Sequence, residues 1–180
     1  IVEESSKILA LYYDYEDFSR IGSWHHAAGD FIVNTQGDGR LNVRLTTVRK
    51  YEPLMESFQE EDINPMIAMI YFFLDTTINM RLDRLDGVGE TAWLDDFSVT
   101  AVIKGFFQGL RERETMGNVD SGAQAADLLS LLKSLDRPEL ERIIEPLMDH
   151  YATQDPDEMA FTTHMGNHFR VLRQALRDFH

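Results

Sequence analysis

The stretch "INPMIAMIYFFLDTTINMRLDR", Ile63 to Arg84, decides the fold class of this chain. Asn64 offers a side-chain cap, and Pro65 suits a first helical position, where no backbone donor is needed. Ile67, Ile70, Leu74, Ile78, Leu82 and Leu85 then recur at helical spacing until Gly87. Positions 66–74 are apolar nearly all round, which places this helix at the centre of a helical domain. The run is too short to span a bilayer and gives way to charged residues.

Downstream the pattern stays helical. A second helix is predicted to start at Asp95 or Asp96, with Val99, Val102, Ile103, Phe106, Phe107 and Leu110 on its apolar face. Gly105 and Gly109, four apart on that helix, would let a neighbouring backbone approach closely. "AQAADLLSLLKSL" reads as a third helix. A fourth opens at "DRPE", where Asp136 caps and Glu139 completes a capping box, and Pro146 is expected to kink or divide it. The last helix opens at "DPDE" and carries Phe161, Met165, Phe169, Leu172, Leu176 and Phe179 as its stripe.

Upstream, residues 3–15 suit a short helix with Ile8, Leu9, Leu11 and Tyr12 inward. "DFIVN" and "LNVRLTTVR" then read as two strands around the turn residues Gly37, Asp38 and Gly39. In the second strand Leu41, Val43, Leu45 and Thr47 alternate with Asn42, Arg44 and Thr46, as a one-sided strand should. The expected architecture is mainly α: five to six helices packed around a central apolar helix, with one small β-hairpin near the N-terminus. Residues 1–180 form a single helical domain with the hairpin at about 30–49. The chain begins at Ile1 rather than Met, so one lobe of a longer protein is part of this expectation.

Composition limits the function. The chain has 31 acidic and 17 basic residues, a net charge of −14. Such a field repels phosphate backbones and anionic membrane surfaces, so neither nucleic acid nor membrane is expected as a partner. No cysteine occurs, which removes disulfides, thiolate metal sites and thiol nucleophiles, and fits a cytoplasmic setting. The N-terminus has acidic residues where a signal peptide needs a cationic region.

Reactive side chains concentrate in "SWHHAAGDFIVN", Ser23 to Asn34. His25, His26 and Asp30 combine imidazole and carboxylate, which bind divalent metals and move protons. The alternative is structural: Trp24 anchors the loop and the histidines make ordinary hydrogen bonds. A second group, "HMGNH", puts His164 and His168 four apart on the last helix, one face and metal-ligand spacing. It lacks the glutamate of the zinc-protease motif, since Met165 follows the first histidine. The acidic belt, "EDIN", "DRLDG", "LDD" and "DPDE", reads mostly as helix-starting charge that complements the macrodipole. No P-loop and no serine nucleophile elbow occurs.

The order of helix, loop, "GDFIVN" hairpin and long run of helices resembles the C-terminal lobe of aminoglycoside phosphotransferase-like kinases, over roughly residues 5–115. In that family an H-G-D-x-H-x-x-N catalytic loop leads into a hairpin whose second strand carries a metal-binding aspartate. Laying "GDFIV" on the family's "GNILV" puts Asp30 at the metal-binding asparagine and His25 at the catalytic aspartate. The second-strand aspartate falls near Thr46 or Thr47, which cannot replace a carboxylate on Mg²⁺. A β-rich lobe with a phosphate-gripping lysine is absent from the sequence. The resemblance implies a kinase-like or pseudokinase-like helical lobe with Mg-ATP as cofactor and a small-molecule substrate. Replacing Asp30 by alanine is then expected to abolish phosphoryl transfer and leave the fold intact. Two other readings stand beside it: a non-catalytic helical module that binds a protein partner, and a helical protein holding a divalent metal with His26, Asp30, His164 and His168.

Overall fold

A computed structural model describes residues 1–22, 24, 29–35, 37, 39, 41–54, 63–84, 89–116, 125–152 and 157–180, with the backbone alone at 84, 148–152 and 157–158. Among these residues it contains α1 (Val2–Leu11), β1 (Ser19–Gly22), β2 (Phe31–Thr35), β3 (Leu41–Leu45), β4 (Lys50–Pro53), α2 (Pro65–Asn79), β5 (Leu82–Arg84), β6 (Thr91–Trp93), α3 (Phe97–Thr115), α4 (Ala125–Ser134), α5 (Arg137–Ala152) and α6 (Asp157–Asp178). The fold is mainly α, as the apolar periodicity requires. No helix among the described residues is long and apolar enough to cross a membrane.

α2 is the central helix. Asn64 caps it by accepting the Met66 N–H at 2.9 Å, and Pro65 stands at its first turn. Every residue from Ala68 to Ile78 except half-buried Tyr71 is buried, and α3, α4 and α5 all pack around it. Phe72 and Phe73 meet Phe106 of α3 with ring centroids 5.3 and 5.1 Å apart, while Tyr13 stacks on Phe72 at 4.5 Å. Asp75 is the exception in this apolar helix. Its carboxylate is buried and lies 3.3 Å from the Arg20 guanidinium, and it accepts from Asn79 at 2.9 Å.

The two glycines of α3 explain its closest neighbour. A Cβ at Gly105 would overlap the Glu3 carbonyl, and one at Gly109 would lie 2.6 Å from the Lys7 carbonyl oxygen. Both absences let α1 lie directly on α3, where Ser6 donates to the Val102 carbonyl at 2.9 Å. α6 closes the other side of the core against α3, α4 and α5, with Phe161, Met165, Phe169, Leu172 and Leu176 buried. At the start of α5 the capping box forms as its residues predict: Glu139 N–H donates to Asp136 at 2.9 Å, and Asp136 N–H donates to Glu139 at 2.7 Å.

Several details differ from the periodicity. α1 stops at Leu11, which leaves Tyr12 exposed at 59 % and turns Tyr13 into the core instead. α5 continues through Pro146 rather than dividing there. α2 ends at Asn79, not near Gly87, because the Arg81 amide turns back to the Ile78 carbonyl at 2.8 Å and the chain enters β5. "LDRL" is too short for its period to separate strand from helix.

Among the described residues three antiparallel pairs occur in place of the single expected hairpin: β2–β3, β5–β6 and β1–β4. β2 and β3 pair from Phe31↔Leu45 to Thr35↔Leu41, within the expected 30–49. β1 and β4 enclose them, Ser19↔Pro53 to Gly22↔Lys50, so the two pairs form the base and tip of one long ribbon. Strands that short, paired across a gap filled by another hairpin, leave no local signature.

Candidate functional site

Two polar centres arise from this fold, and each contains residues that the sequence singles out. The first lies at the end of α2. There Thr76 and Thr77 return their hydroxyl protons to the Phe72 and Leu74 carbonyls, each at 2.8 Å. The Thr77 oxygen can therefore only accept from His168 Nε2, 3.2 Å away, which puts the imidazole proton on Nε2. His168 Nδ1 is left with its lone pair, and Arg81 Nη1 lies 3.4 Å from it.

Arg81 is fixed by the β5–β6 hairpin. The Leu94 N–H donates to the Arg81 carbonyl at 2.8 Å, and the Arg81 Nε returns a bond to the Leu94 carbonyl at 2.9 Å. Nη2 donates to Asp96 at 2.9 Å, and the guanidinium carbon sits 4.8 Å from the Trp93 ring centroid. Asp96 also accepts from Asn167 at 3.0 Å. These donors, the Arg81 hydrogen bond above all, hold the Asp96 carboxyl below its ordinary range. Burial, aided by the Arg81 charge, pushes the His168 imidazole down to about 3.

The spacing of four does bring His164 and His168 to one face, and that face meets Trp93. His164 stacks on the indole at 5.1 Å, and His168 meets it edge-on at 5.9 Å. With Thr77 and Arg81 at its two nitrogens, His168 has no lone pair free for a metal. Among the described residues no three His, Cys, Asp or Glu side chains converge to hold an ion. Outside the stack lies an open hollow of about 530 Å³, lined by Trp93, Asp95, Phe97, His164 and Asn167.

The second centre is the joint of the long ribbon. Asp30 is 1 % exposed, and its carboxylate accepts Arg49 Nε at 3.0 Å and Nη2 at 2.9 Å, a two-pronged pair. That bond raises the Arg49 guanidinium above its ordinary value. The Thr46 N–H donates to the Asp30 carbonyl at 2.8 Å, and Gly29 supplies a left-handed turn at φ +80° just before it. Trp24 is buried and meets Phe31 edge-on at 5.7 Å. His25 and His26 lie outside the described residues.

Asp30 is thus part of the frame that joins the base of the ribbon to its tip, and a metal at its carboxylate would have to displace Arg49. The expectation that Asp30→Ala leaves the fold intact is corrected on this ground. The capping reading of "LDD" also changes. The Asp96 side chain makes no cap bond to its helix, because it faces Arg81, and the Asp95 backbone carbonyl takes both the N–H and the hydroxyl of Ser98.

Arg81, Thr77 and Trp93 carry the first centre, and sequence reasoning did not single them out. One signal was present: a charged residue directly after an apolar central helix must find acceptors when that helix end is buried. The chain matches no family model, no curated protein and no solved structure.

Proposed function

We propose that this chain acts by docking rather than by chemistry, as a non-catalytic helical interaction module whose contact element is the β2–β3 ribbon. The observation that carries the reading is where apolar side chains stay exposed. Of the eleven large hydrophobic residues exposed among the described residues, five (Ile32, Val33, Leu41, Val48 and Tyr51) fall on the ribbon and its continuation. Ile32 lies on one face of β2–β3 and Val33 with Leu41 on the other, so both faces keep apolar side chains in solvent, as a contact element does. The internal bonds of the two polar centres support the same reading. Asp30 and His168, which catalysis or metal binding would need free, are each held by side chains of the chain itself.

The phosphotransferase-like lobe is the second reading, favoured by the order of α1, ribbon and helices and by Asp30 at the start of β2. Titration calorimetry with Mg²⁺ and a non-hydrolysable ATP analogue separates the two. The docking module predicts no saturable heat. Saturable binding that weakens in Asp30→Asn would overturn it in favour of the kinase-like lobe.

A further inference from the structure

The open hollow outside the Trp93–His164 stack is built from flat and acidic groups. Its volume of about 530 Å³ lies in the range of small binding sites. Phe97, the first residue of α3, lines it and is 72 % exposed. The half-buried Trp93 indole and His164 imidazole, stacked on each other, form an aromatic wall. This wall has a fixed backing, because the buried Arg81 side chain binds the Leu94 carbonyl and Asp96 and lies against the indole.

The two carboxylates of the hollow are used differently. Asp96 is met by Arg81 at 2.9 Å, Asn167 at 3.0 Å and Arg170 at 3.8 Å, and Arg170 also donates to Asn167 at 2.7 Å. Asp95 takes bonds only at its backbone carbonyl, from the Ser98 N–H and hydroxyl, so its exposed carboxylate is unpartnered among the described residues. Between Arg84 and Lys104 the sequence has no basic residue but has Asp86, Glu90, Asp95 and Asp96, in a chain of net charge −14. A cation is drawn to such a place. The start of α3 does not invite an anion instead, since its Ser98 and Val99 amides already donate to the Asp95 and Asp96 carbonyls at 3.0 and 3.3 Å.

We propose that the hollow receives an arginine side chain of a protein partner, its guanidinium paired with the Asp95 carboxylate and lying against the Phe97 ring. The inference rests on the interaction-module reading for its kind of partner and uses no residue of the ribbon. A guanidinium is planar, stacks on aromatic faces and meets a carboxylate with two parallel donors, whereas an ammonium does none of these as well. The chain itself shows the same preference. Arg113 lies over Tyr15 at 4.5 Å, Arg81 over Trp93 at 4.8 Å and Arg111 over Phe179 at 5.7 Å. Phe97 carries no such cation among the described residues, yet it has an uncommitted carboxylate two positions before it.

Titration of the full chain with acetyl-arginine amide, followed by amide and indole NMR shifts at constant ionic strength, tests the proposal. The lysine counterpart and citrulline, an uncharged isostere of arginine, serve as comparisons. The expected result is a saturable shift at Trp93 and residues 95–98, with a Kd on the order of millimolar for one side chain. Citrulline should bind about tenfold more weakly, and lysine several-fold more weakly. Asp95→Asn should weaken arginine binding by about tenfold and leave citrulline unchanged, while Phe97→Ser should weaken both. Both residues are exposed, so far-UV circular dichroism should show the variants folded. Val33→Ser, on the ribbon, should bind as the wild type does. A shift that never saturates would overturn the proposal, as would equal binding of citrulline or lysine, or indifference to Asp95→Asn. The nucleotide titration judges the module reading without involving this hollow, so the two can fail separately.

Discussion

At the end of α2 the buried member of the ion pair is the cation: the Arg81 side chain is 2 % exposed and that of Asp96 48 %. At the ribbon joint the arrangement is reversed, with the Asp30 side chain 2 % exposed and that of Arg49 46 %. The two ions differ in what they can do when a partner is lost. A guanidinium stays charged at any pH a protein survives, while a carboxylate can take up a proton and become neutral. The cation is accordingly supplied from all sides, by the Leu94 carbonyl, Asp96, the Trp93 face and the lone pair of His168. The centre at α2 is therefore a fixed lock, and the ribbon joint is a conditional one.

The largest expected effect follows from the histidine that completes the lock. In the unfolded chain His168 binds a proton below about pH 6.5, whereas in the folded chain it does so only near 3. Its contribution is thus fully present above pH 6.5 and lost as the pH falls towards 3. The slope is about 1.4 kcal/mol per pH unit, or roughly 3 kcal/mol between pH 6.5 and pH 4. Urea denaturation across that window should show this fall in the wild type. In His168→Gln, whose amide keeps one donor and one acceptor, the slope should flatten by one proton. An unchanged slope in the variant would mean that the imidazole is not kept neutral by its surroundings.

Next in size is the removal of the exposed partner from the buried cation. Asp96→Ala leaves the Arg81 charge in place with its carboxylate gone, and should cost roughly 2–3 kcal/mol, less than for a fully buried pair because Asp96 is half in water. Asp96→Asn restores the acceptor without the charge and should recover part of the loss. Equal destabilisation by the two would assign the whole effect to charge, and none by either would show that Leu94 and Trp93 suffice.

The contrast also explains what the sequence made legible. The central helix, the paired glycines of α3 and the capping box were readable because each signal lies in residues within a turn or two of one another, although the α1 backbone that the glycines admit lies about a hundred residues away. Asp30 was recognisable as unusual, but its partner Arg49 lies nineteen residues on, across a hairpin. His168 and Arg81 are 87 residues apart, and nothing in "HMGNH" says that one imidazole will be sealed in the core while the other stacks on an indole. Spacing reports which residues share a helix face. It does not report what that face will meet.

The smallest effect is the most specific to the comparison. Arg49→Ala takes a two-pronged donor from the buried Asp30 carboxylate as Asp96→Ala takes an anion from the buried guanidinium, but a carboxylate can be protonated. The loss of stability in Arg49→Ala should therefore shrink as the pH is lowered, while that of Asp96→Ala should find no such relief from the stranded group. Removing both charges, Asp30→Ala with Arg49→Ala, should be milder than adding the two single losses, since the two residues share one ion pair. Amide exchange gives a local readout, because the Thr46 N–H bonded to the Asp30 carbonyl should open faster in Arg49→Ala. If the Arg49→Ala deficit proved independent of pH, the Asp30 carboxylate would be keeping its charge without Arg49. The ribbon joint would then be a fixed lock like the one at α2, and the contrast between the two centres would fail.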